Sequence, residues 1–187
     1  MSPINSFKDD VKELLEFVQY FPDFPKPGIL YKDVLSAFNS AEGVNLISRV
    51  LQNYAESLRG KVDCVAMLES RGFLLGPIIA LHLNIPCVPV CKKGNLPNPV
   101  FELSYSLEYG EDTVVIQLGS VQKGNRIVVV DDFLATGVFL LIGTLQAATT
   151  LLKNAGGIVV ECFVLMEKLE LKGREKLDCH ITCLVSE

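Results

Sequence analysis

The segment Arg126–Gly137 (RIVVVDDFLATG) combines residue types that could bind a phosphorylated sugar. An apolar, β-branched run ends in two adjacent carboxylates, Asp131 and Asp132, and a short Ala-Thr-Gly turn then leads into a helical pattern. Unpaired N–H groups at a helix start bind anions, helped by the helix dipole, and Thr136 adds a hydroxyl donor. The carboxylates can accept hydrogen bonds from vicinal sugar hydroxyls or bind Mg²⁺. The spacing therefore predicts a site for a ribose 5-phosphate.

Three other interpretations of the paired acids have to be weighed against this one. The strand resembles a Walker B strand, but the sequence contains no G-x-x-x-x-G-K-[ST] loop, which argues against a P-loop enzyme. It also resembles the first strand of a receiver domain, although only the 57 residues from Asp131 to Glu187 remain for the rest of such a domain. The simplest alternative is that the aspartates only cap the next helix. The glycine turn favours the sugar-phosphate site.

An α/β fold must position these acids, because apolar runs rich in β-branched residues alternate with helical patterns along the chain. An apolar stripe from Phe7 to Val18 predicts a first helix, with Ser6 as its cap. The other predicted elements are a helix at Val44–Leu58, strands at Val62–Leu68 and Ile85–Val90, a helix at Phe73–Leu83, a strand at Arg126–Val130, a helix at Phe139–Asn154, and strands at Ile158–Met166 and Ile181–Val185.

Two further segments, Phe101–Ser106 and Asp112–Leu118, predict a hairpin that stands off the parallel sheet. Near the start of the chain, Phe21–Gly28 contains three prolines and a glycine, which exclude a helix and a central strand. Ligands of open parallel sheets bind outside the carboxyl ends of the strands. The loops expected to form the site are therefore those after Leu68, Val90, Val130 and Met166.

The composition limits the class of protein. The chain has 187 residues, of which 49% are hydrophobic, and a net charge of −5 at pH 7. This length fits one compact domain, and the scattered basic residues do not fit a duplex nucleic-acid binder. The sequence shows neither the apolar run of about 20 residues that a membrane helix needs nor a signal peptide. We therefore expect a cytoplasmic protein with reduced cysteines and with no nucleic-acid polymer or membrane as a partner.

The Arg126–Gly137 segment resembles the phosphoribosyl-diphosphate-binding motif of the type I phosphoribosyltransferases. Further segments resemble the adenine phosphoribosyltransferases of that family, in the same order along nearly the whole chain. They are Phe21–Asp33 (FPDFPKPGILYKD), Glu69–Phe73 (ESRGF), Lys92–Gly94 with Leu96–Pro97, Ser104–Gly110 (SYSLEYG) and Leu171–Leu177 (LKGREKL).

The resemblance implies an α/β fold of the type I phosphoribosyltransferase kind. Its central, mainly parallel sheet is flanked by helices and carries a hairpin lid and a small N-terminal hood. The resemblance also implies one domain over residues 1–187, with residues 1–35 as the base-binding hood segment and residues 98–118 as a flexible hairpin lid.

The activity implied is that of a purine-salvage transferase, which makes AMP and diphosphate from adenine and 5-phosphoribosyl 1-diphosphate through an oxocarbenium-like transition state. By similarity, Asp131 and Asp132 bind the ribose hydroxyls. The other residues implied for phosphoribosyl and AMP binding are Ala135, Thr136, Gly137, Val138 and Phe139. Those implied for diphosphate binding are Ser70, Arg71, Lys92 and Lys93, with Arg71 also catalytic.

The resemblance also implies roles in catalysis, base binding and assembly. Glu108 is the implied acid/base that aids the purine, Tyr109 closes over the site, and Leu30 and Tyr31 bind adenine. Mg²⁺ is the implied cofactor, bound through the substrate diphosphate without a fixed protein ligand. The family further implies a homodimer, in which the loop after Val90 reaches toward the partner's site. It also implies a non-proline cis peptide in the loop after the predicted strand Val62–Leu68.

Several positions depart from the family pattern. Where the motif usually continues Ala-Thr-Gly-Gly-Thr, this chain has Val138 and Phe139, which restrict the backbone and remove a hydroxyl donor. Cys91 and Asn95 replace two cationic residues on the diphosphate side, and Lys168 stands where an apolar residue usually borders the base. Cations near a departing diphosphate stabilise the transition state. The alternative hypothesis is therefore a catalytically weakened paralogue that binds nucleotide as a regulatory or partner subunit.

Overall fold

The computed structural model describes residues 3–24, 27–28, 30–107, 110–134, 140–167 and 177–186. The chain divides into two compact units, Met1–Ser57 and Leu58–Glu187. The residues predicted to bind adenine belong to the first unit. The residues predicted to bind the phosphoribosyl and diphosphate groups belong to the second.

The first unit contains two helices and a small antiparallel sheet. Its elements are helix α1 (Pro3–Glu16), strand β1 (Gln19–Pro22), strand β2 (Leu30–Asp33), a 3₁₀ helix (Val34–Asn39) and helix α2 (Ala41–Leu58). Helix α1 begins before Ser6, so the prediction that Ser6 caps it is wrong; a proline suits the first helical position because its φ is already fixed. The 3₁₀ helix is too short to show a periodic pattern, and Asp33 caps its start, because the Asp33 carboxylate accepts the Leu35 N–H at 3.0 Å.

The proline-rich segment after α1 contributes only to this two-stranded sheet. Pro22, the last residue of β1, pairs with Leu30, a position where a missing N–H is tolerated because each strand is an edge. The turn that follows is closed by Asp23, which has φ +59° and whose Oδ1 accepts the Gly28 N–H at 2.7 Å. The described residues of Phe21–Gly28 therefore form neither a helix nor a central strand, as predicted.

The second unit is built on a seven-stranded sheet with the strand order β5-β6-β4-β3-β7-β8-β9. The strands are β3 (Cys64–Leu68), β4 (Cys87–Lys92), β5 (Val100–Leu107), β6 (Gly110–Gln117), β7 (Arg126–Leu134), β8 (Ile158–Glu167) and β9 (His180–Ser186). The five strands from β4 to β9 in this order are parallel, and the β5–β6 hairpin is antiparallel. The mainly parallel central sheet is confirmed.

The prediction that the hairpin stands off the sheet is wrong. Cys91 and Lys92 at the end of β4 pair with Val115 and Val114 of β6, so the hairpin extends the sheet. An uncovered end of β4 would leave the backbone groups of Cys91 and Lys92 without strand partners, and β6 provides them. Alternation in the hairpin sequence does not reveal which strand it pairs with.

Helices α3 (Gly72–Leu83) and α4 (Leu140–Asn154) connect strands of this sheet, close to their predicted bounds. The central strands β3 and β7 are buried on both faces, in keeping with their continuous apolar sequences. A Cβ at Gly72 would overlap the carbonyl oxygen of Val130, so glycine is needed for α3 to begin against β7. None of the helices in the described ranges is both long and apolar enough to cross a bilayer.

Strand β7 extends four residues past its predicted end at Val130, so Asp131 and Asp132 lie inside the strand. The cause is the neighbouring strand β8, which continues to Glu167 and pairs with β7 up to Leu134. The backbone of both acids is therefore fixed by the sheet and not by a loop.

Candidate functional site

The two acids of β7 form a buried carboxylate pair. Asp131 is 5% exposed and Asp132 is 4% exposed. Burial raises the pKa of the Asp131 carboxyl well above its ordinary value, and the negative charge of Asp132 raises it further. The Asp132 N–H lowers the pKa of Asp131, because it donates to Asp131 Oδ1 at 2.9 Å. Two acids so close in a buried place need a positive charge or hydrogen-bond donors beside them.

Arg71 supplies that charge to Asp132. Its Nε lies 2.5 Å from Asp132 Oδ2, and its side chain is 31% exposed, whereas that of Asp132 is 6% exposed. The other oxygen, Asp132 Oδ1, is buried and has no hydrogen-bond partner among the described residues. A buried carboxylate oxygen without a donor is unfavourable, and a ligand hydroxyl would remove the penalty.

The sheet register explains how Arg71 reaches the acids. Strands β3 and β7 run parallel up to the pair Met67 and Val130, so the chain leaves β3 next to the acids of β7. Ser70 and Arg71 follow at once, and the Glu69–Ser70 peptide bond is cis, as the resemblance implied. The close start of α3 at Gly72 completes this short loop.

The predicted diphosphate-binding lysines contact the hairpin. The Lys92 Nζ forms an ion pair with Asp112 of β6, and the Lys93 Nζ lies 3.0 Å from Glu102 Oε2 of β5. The hydrogen bonds to Asp112 and Tyr105 raise the pKa of Lys92 although burial by itself lowers it. The described ion pairs of these lysines are thus with hairpin carboxylates, and that of Arg71 is with Asp132 of β7.

Glu69 connects the loops after β3 and β4, a role that its sequence motif did not reveal. Its Oε2 accepts the Lys92 N–H at 2.7 Å, and its Oε1 accepts Asn95 Nδ2 at 2.6 Å. The available signal was a carboxylate at the carboxyl end of a buried strand, directly before Ser70 and Arg71. Asn95, one of the departures from the family pattern, therefore has a structural partner.

Cys91, the other departure on this side, is a buried thiol at 4% exposure. Burial raises its pKa, and the negative charge of Glu69 adds to the shift. The thiol is therefore neutral near pH 7, and its position contributes no positive charge to the loop after β4.

The residues predicted to bind adenine lie on the small sheet of the first unit. Leu30 is exposed, and the Tyr31 ring meets the exposed Phe24 ring edge to face, with centroids 5.1 Å apart. Apolar and aromatic surfaces of this kind suit a flat heterocycle.

Several predicted site residues lie outside the described residues, and their roles stay predictions. They are Glu108, Tyr109, Ala135, Thr136, Gly137, Val138, Phe139 and Lys168.

Comparison with known proteins places this geometry in a family. Residues 37–185 match the family model described as phosphoribosyl transferase domain. The adenine phosphoribosyltransferase of Caenorhabditis elegans is 44% identical over 180 residues, which cover 95% of this chain and 95% of that protein.

Solved structures agree with the sequence relatives. The Saccharomyces cerevisiae adenine phosphoribosyltransferase, in complex with an imino-altritol bisphosphate and adenine, has a TM-score of 0.85 at 35% identity and covers 94% of this chain and 98% of that chain. The Trypanosoma brucei enzyme, in complex with AMP, pyrophosphate and ribose-5-phosphate, has a TM-score of 0.81 at 25% identity. The match covers 95% of this chain and 79% of that chain. The chain belongs to the phosphoribosyltransferase family and, within it, to the adenine phosphoribosyltransferases.

Proposed function

We propose that the protein transfers the 5-phosphoribosyl group from 5-phosphoribosyl 1-diphosphate to adenine, giving AMP and diphosphate. The observation that carries the proposal is the buried pair Asp131 and Asp132, in which Arg71 engages one oxygen of Asp132 and the other oxygen receives no hydrogen bond from any residue that the structure describes. Vicinal ribose hydroxyls are donors of the right kind and spacing for two adjacent carboxylates. Family membership supports the same reaction.

The charges around the site suit this chemistry. In the reaction the bond between the anomeric carbon and diphosphate breaks, a ring nitrogen of adenine bonds to that carbon, and the nitrogen passes its proton to a base, the role proposed for Glu108. Positive charge develops on the sugar while negative charge develops on the departing diphosphate. Asp131 and Asp132 face the first charge. Arg71, ion-paired but still 31% exposed, is placed to face the second.

Mg²⁺ fits this site as a cation that arrives with the substrate. Among the described residues no three His, Cys, Asp or Glu side chains are grouped to bind a metal ion. Mg²⁺ usually keeps several waters and binds through one or two carboxylates together with substrate phosphates. We propose that Mg²⁺ binds through the substrate diphosphate without a fixed protein ligand, and the bound metal would neutralise charge on the diphosphate.

The proposed roles of the residues outside the described ranges are unchanged: Glu108 is the acid/base that aids the purine, Tyr109 closes over the site, and the segment from Ala135 to Phe139 binds the 5-phosphate. Leu30 and Tyr31 are proposed to bind the base, supported by the exposed apolar surface around Phe24. Residues 1–35 and 98–118 are proposed as the hood segment and the lid.

A catalytically weakened paralogue is the less favoured function. The relatives matched over nearly the full chain are themselves adenine phosphoribosyltransferases. The departures at Cys91 and Asn95 are built into the fold as a buried thiol and a partner of Glu69. We therefore expect turnover, reduced where cationic groups are missing from the diphosphate side.

The test is AMP formation from labelled adenine, 5-phosphoribosyl 1-diphosphate and Mg²⁺ by the purified protein. We expect AMP to accumulate in proportion to protein and to require the phosphoribosyl donor. An absence of turnover above background, with AMP still bound tightly in calorimetry, would instead support the paralogue.

We also propose a homodimer located in the cytoplasm. Helix α3 is apolar on all sides and leaves Leu74 and Leu81 exposed at 44% and 80%, which supports an association surface on this helix. Sedimentation equilibrium is expected to give twice the chain mass, and Leu81→Glu is expected to shift the protein toward the monomer.

Cell fractionation tests the proposed cytoplasmic location, and the protein is expected in the cytoplasmic fraction.

A further inference from the structure

The hydroxyl of Tyr105 joins three elements around Lys92. It lies 2.8 Å from Lys92 Nζ at the end of β4, 3.1 Å from Asp112 Oδ2 on β6 and 2.7 Å from Thr144 Oγ1 on α4. Tyr105 itself is on β5. One side-chain oxygen therefore connects the hairpin, the end of β4 and the helix that follows the phosphoribosyl motif.

The hydrogen-bonding capacity of this hydroxyl matches its neighbours. A tyrosine hydroxyl has one proton to donate and two lone pairs that accept. Its oxygen accepts from the Lys92 ammonium, and its one proton goes either to Asp112 Oδ2 or to Thr144 Oγ1, whose own hydroxyl can donate in return. Thr144 is 8% exposed, so water competes little for its hydroxyl. Thr144 thus fixes Tyr105, and Tyr105 fixes Lys92.

Lys92 makes contacts through both its ammonium and its backbone. Its ammonium pairs with Asp112 and lies 5.4 Å from the centroid of the Tyr105 ring. Its backbone N–H donates to Glu69, which directly precedes Ser70 and Arg71. An ammonium has three N–H donors, and Asp112 and Tyr105 use two of them among the described residues. The third can be directed at an anion.

We propose that Tyr105, anchored by Thr144, is a positioning residue that orients the Lys92 ammonium toward the departing diphosphate. The proposal rests on the proposed function. A lysine on a flexible four-carbon stem stabilises a developing charge well only when its position is set beforehand. Asp112 also holds this ammonium but offsets its charge, whereas the neutral tyrosine hydroxyl positions it without offsetting the charge.

The experiment compares Tyr105→Phe, Lys92→Met and the double variant in the full chain. Tyr105→Phe keeps the ring and removes the three hydrogen bonds. We expect it to lower kcat/KM for 5-phosphoribosyl 1-diphosphate about tenfold, with the KM for adenine changed by less than about twofold. In the Lys92→Met background the same substitution is expected to have no further effect, because the group it positions is gone.

Two more variants separate positioning from folding. Thr144→Val is expected to reproduce part of the Tyr105→Phe loss, and Thr144→Ser, which keeps the hydroxyl, is expected to restore activity. Thr149→Val is the matched control, since Thr149 lies on the same helix as Thr144, is 6% exposed, and its hydroxyl donates to the Gln146 carbonyl at 2.9 Å in the described hydrogen bonds. Its kcat/KM is expected to equal that of the unmodified protein.

Calorimetric binding of 5-phosphoribosyl 1-diphosphate provides a readout that does not need turnover. If the unmodified protein binds this donor but makes no AMP, the proposed function fails, and the positioning role is still decided by whether Tyr105→Phe weakens binding only when Lys92 is present. Additive losses in the double variant, an unaffected Tyr105→Phe protein, or a loss in Thr149→Val equal to that in Thr144→Val would overturn the inference. Absence of donor binding would overturn both.

Discussion

Replacing Asp132 with asparagine is expected to lower kcat/KM for 5-phosphoribosyl 1-diphosphate by one to two orders of magnitude without unfolding the protein. Asp132 presents one oxygen to Arg71 at 2.5 Å and leaves the other for a ligand hydroxyl. An amide has only one acceptor oxygen. If this oxygen faces Arg71, the ribose hydroxyl meets an NH₂ group; if it faces the ribose, the NH₂ group opposes the arginine N–H.

The magnitude follows from losing one hydrogen bond to a charged group. Such a bond is worth about 1.5–3 kcal/mol, and about 1.4 kcal/mol corresponds to a factor of ten in rate. The effect on stability is expected to be small for two reasons. The guanidinium left without its partner is 31% exposed, so water solvates it. The substitution also removes the negative charge that helps to raise the pKa of buried Asp131.

The assay is steady-state AMP formation, accompanied by calorimetric AMP binding and a thermal unfolding curve. Asp63→Asn is the matched control, because Asp63 is also paired with an arginine, Arg126, but at the opposite ends of β3 and β7. We expect this control to keep its kcat/KM. The reasoning is refuted if Asp132→Asn keeps full kcat/KM, or if the two variants lose activity equally.

Three further predictions concern pH, thiol chemistry and the phosphate loop. The ion pair of Asp63 with Arg126 holds the pKa of the Asp63 carboxyl at about 2, below the ordinary value of 3.8. The ion pair therefore stabilises the folded protein fully above about pH 4, and this stabilisation is lost as the pH falls toward 2. Acid unfolding curves of Asp63→Asn are expected to lack this part of the pH dependence. Cys179 is expected to react with iodoacetamide before Cys162, as measured by peptide mass mapping. Their thiols lie 3.2 Å apart, and their hydrogen bond lowers the pKa of Cys179 and raises that of Cys162, which is also buried. Val138→Gly combined with Phe139→Thr is expected to lower the KM for 5-phosphoribosyl 1-diphosphate, since it restores backbone freedom and a hydroxyl donor; unchanged kinetics would show that these side chains do not limit phosphate binding.

Local sequence pattern predicted the strands and helices because each carries its own signal. The apolar run of β7 and the helical stretch of α3 are examples, since burial requires their residue types wherever the elements lie in the sheet. Local sequence pattern failed where a neighbouring strand determines where an element ends or which strand it pairs with. The end of β7 depends on how far β8 runs beside it, and the place of the hairpin depends on the free edge of β4.

The candidate site divides in the same way. The acids of β7 were predictable from residue type and from their position at the end of a strand, and the loop after β3 was expected at the same edge of the sheet. The role of Arg71 within that loop was implied only by the family resemblance. The hydrogen bonds of Glu69 with the loop after β4, and the contact between Tyr105 and Thr144, could not be predicted, because they join residues far apart in sequence. Such partners become visible only when the sheet order and register are known.

The most direct measurement is a crystal structure of the protein with AMP bound. We expect the vicinal ribose hydroxyls to lie within about 3.2 Å of the carboxylates of Asp131 and Asp132, with Asp132 Oδ1 accepting one of them and Arg71 still on Oδ2. A ribose bound away from these carboxylates, with Asp132 Oδ1 still lacking a donor, would contradict the assignment of the site.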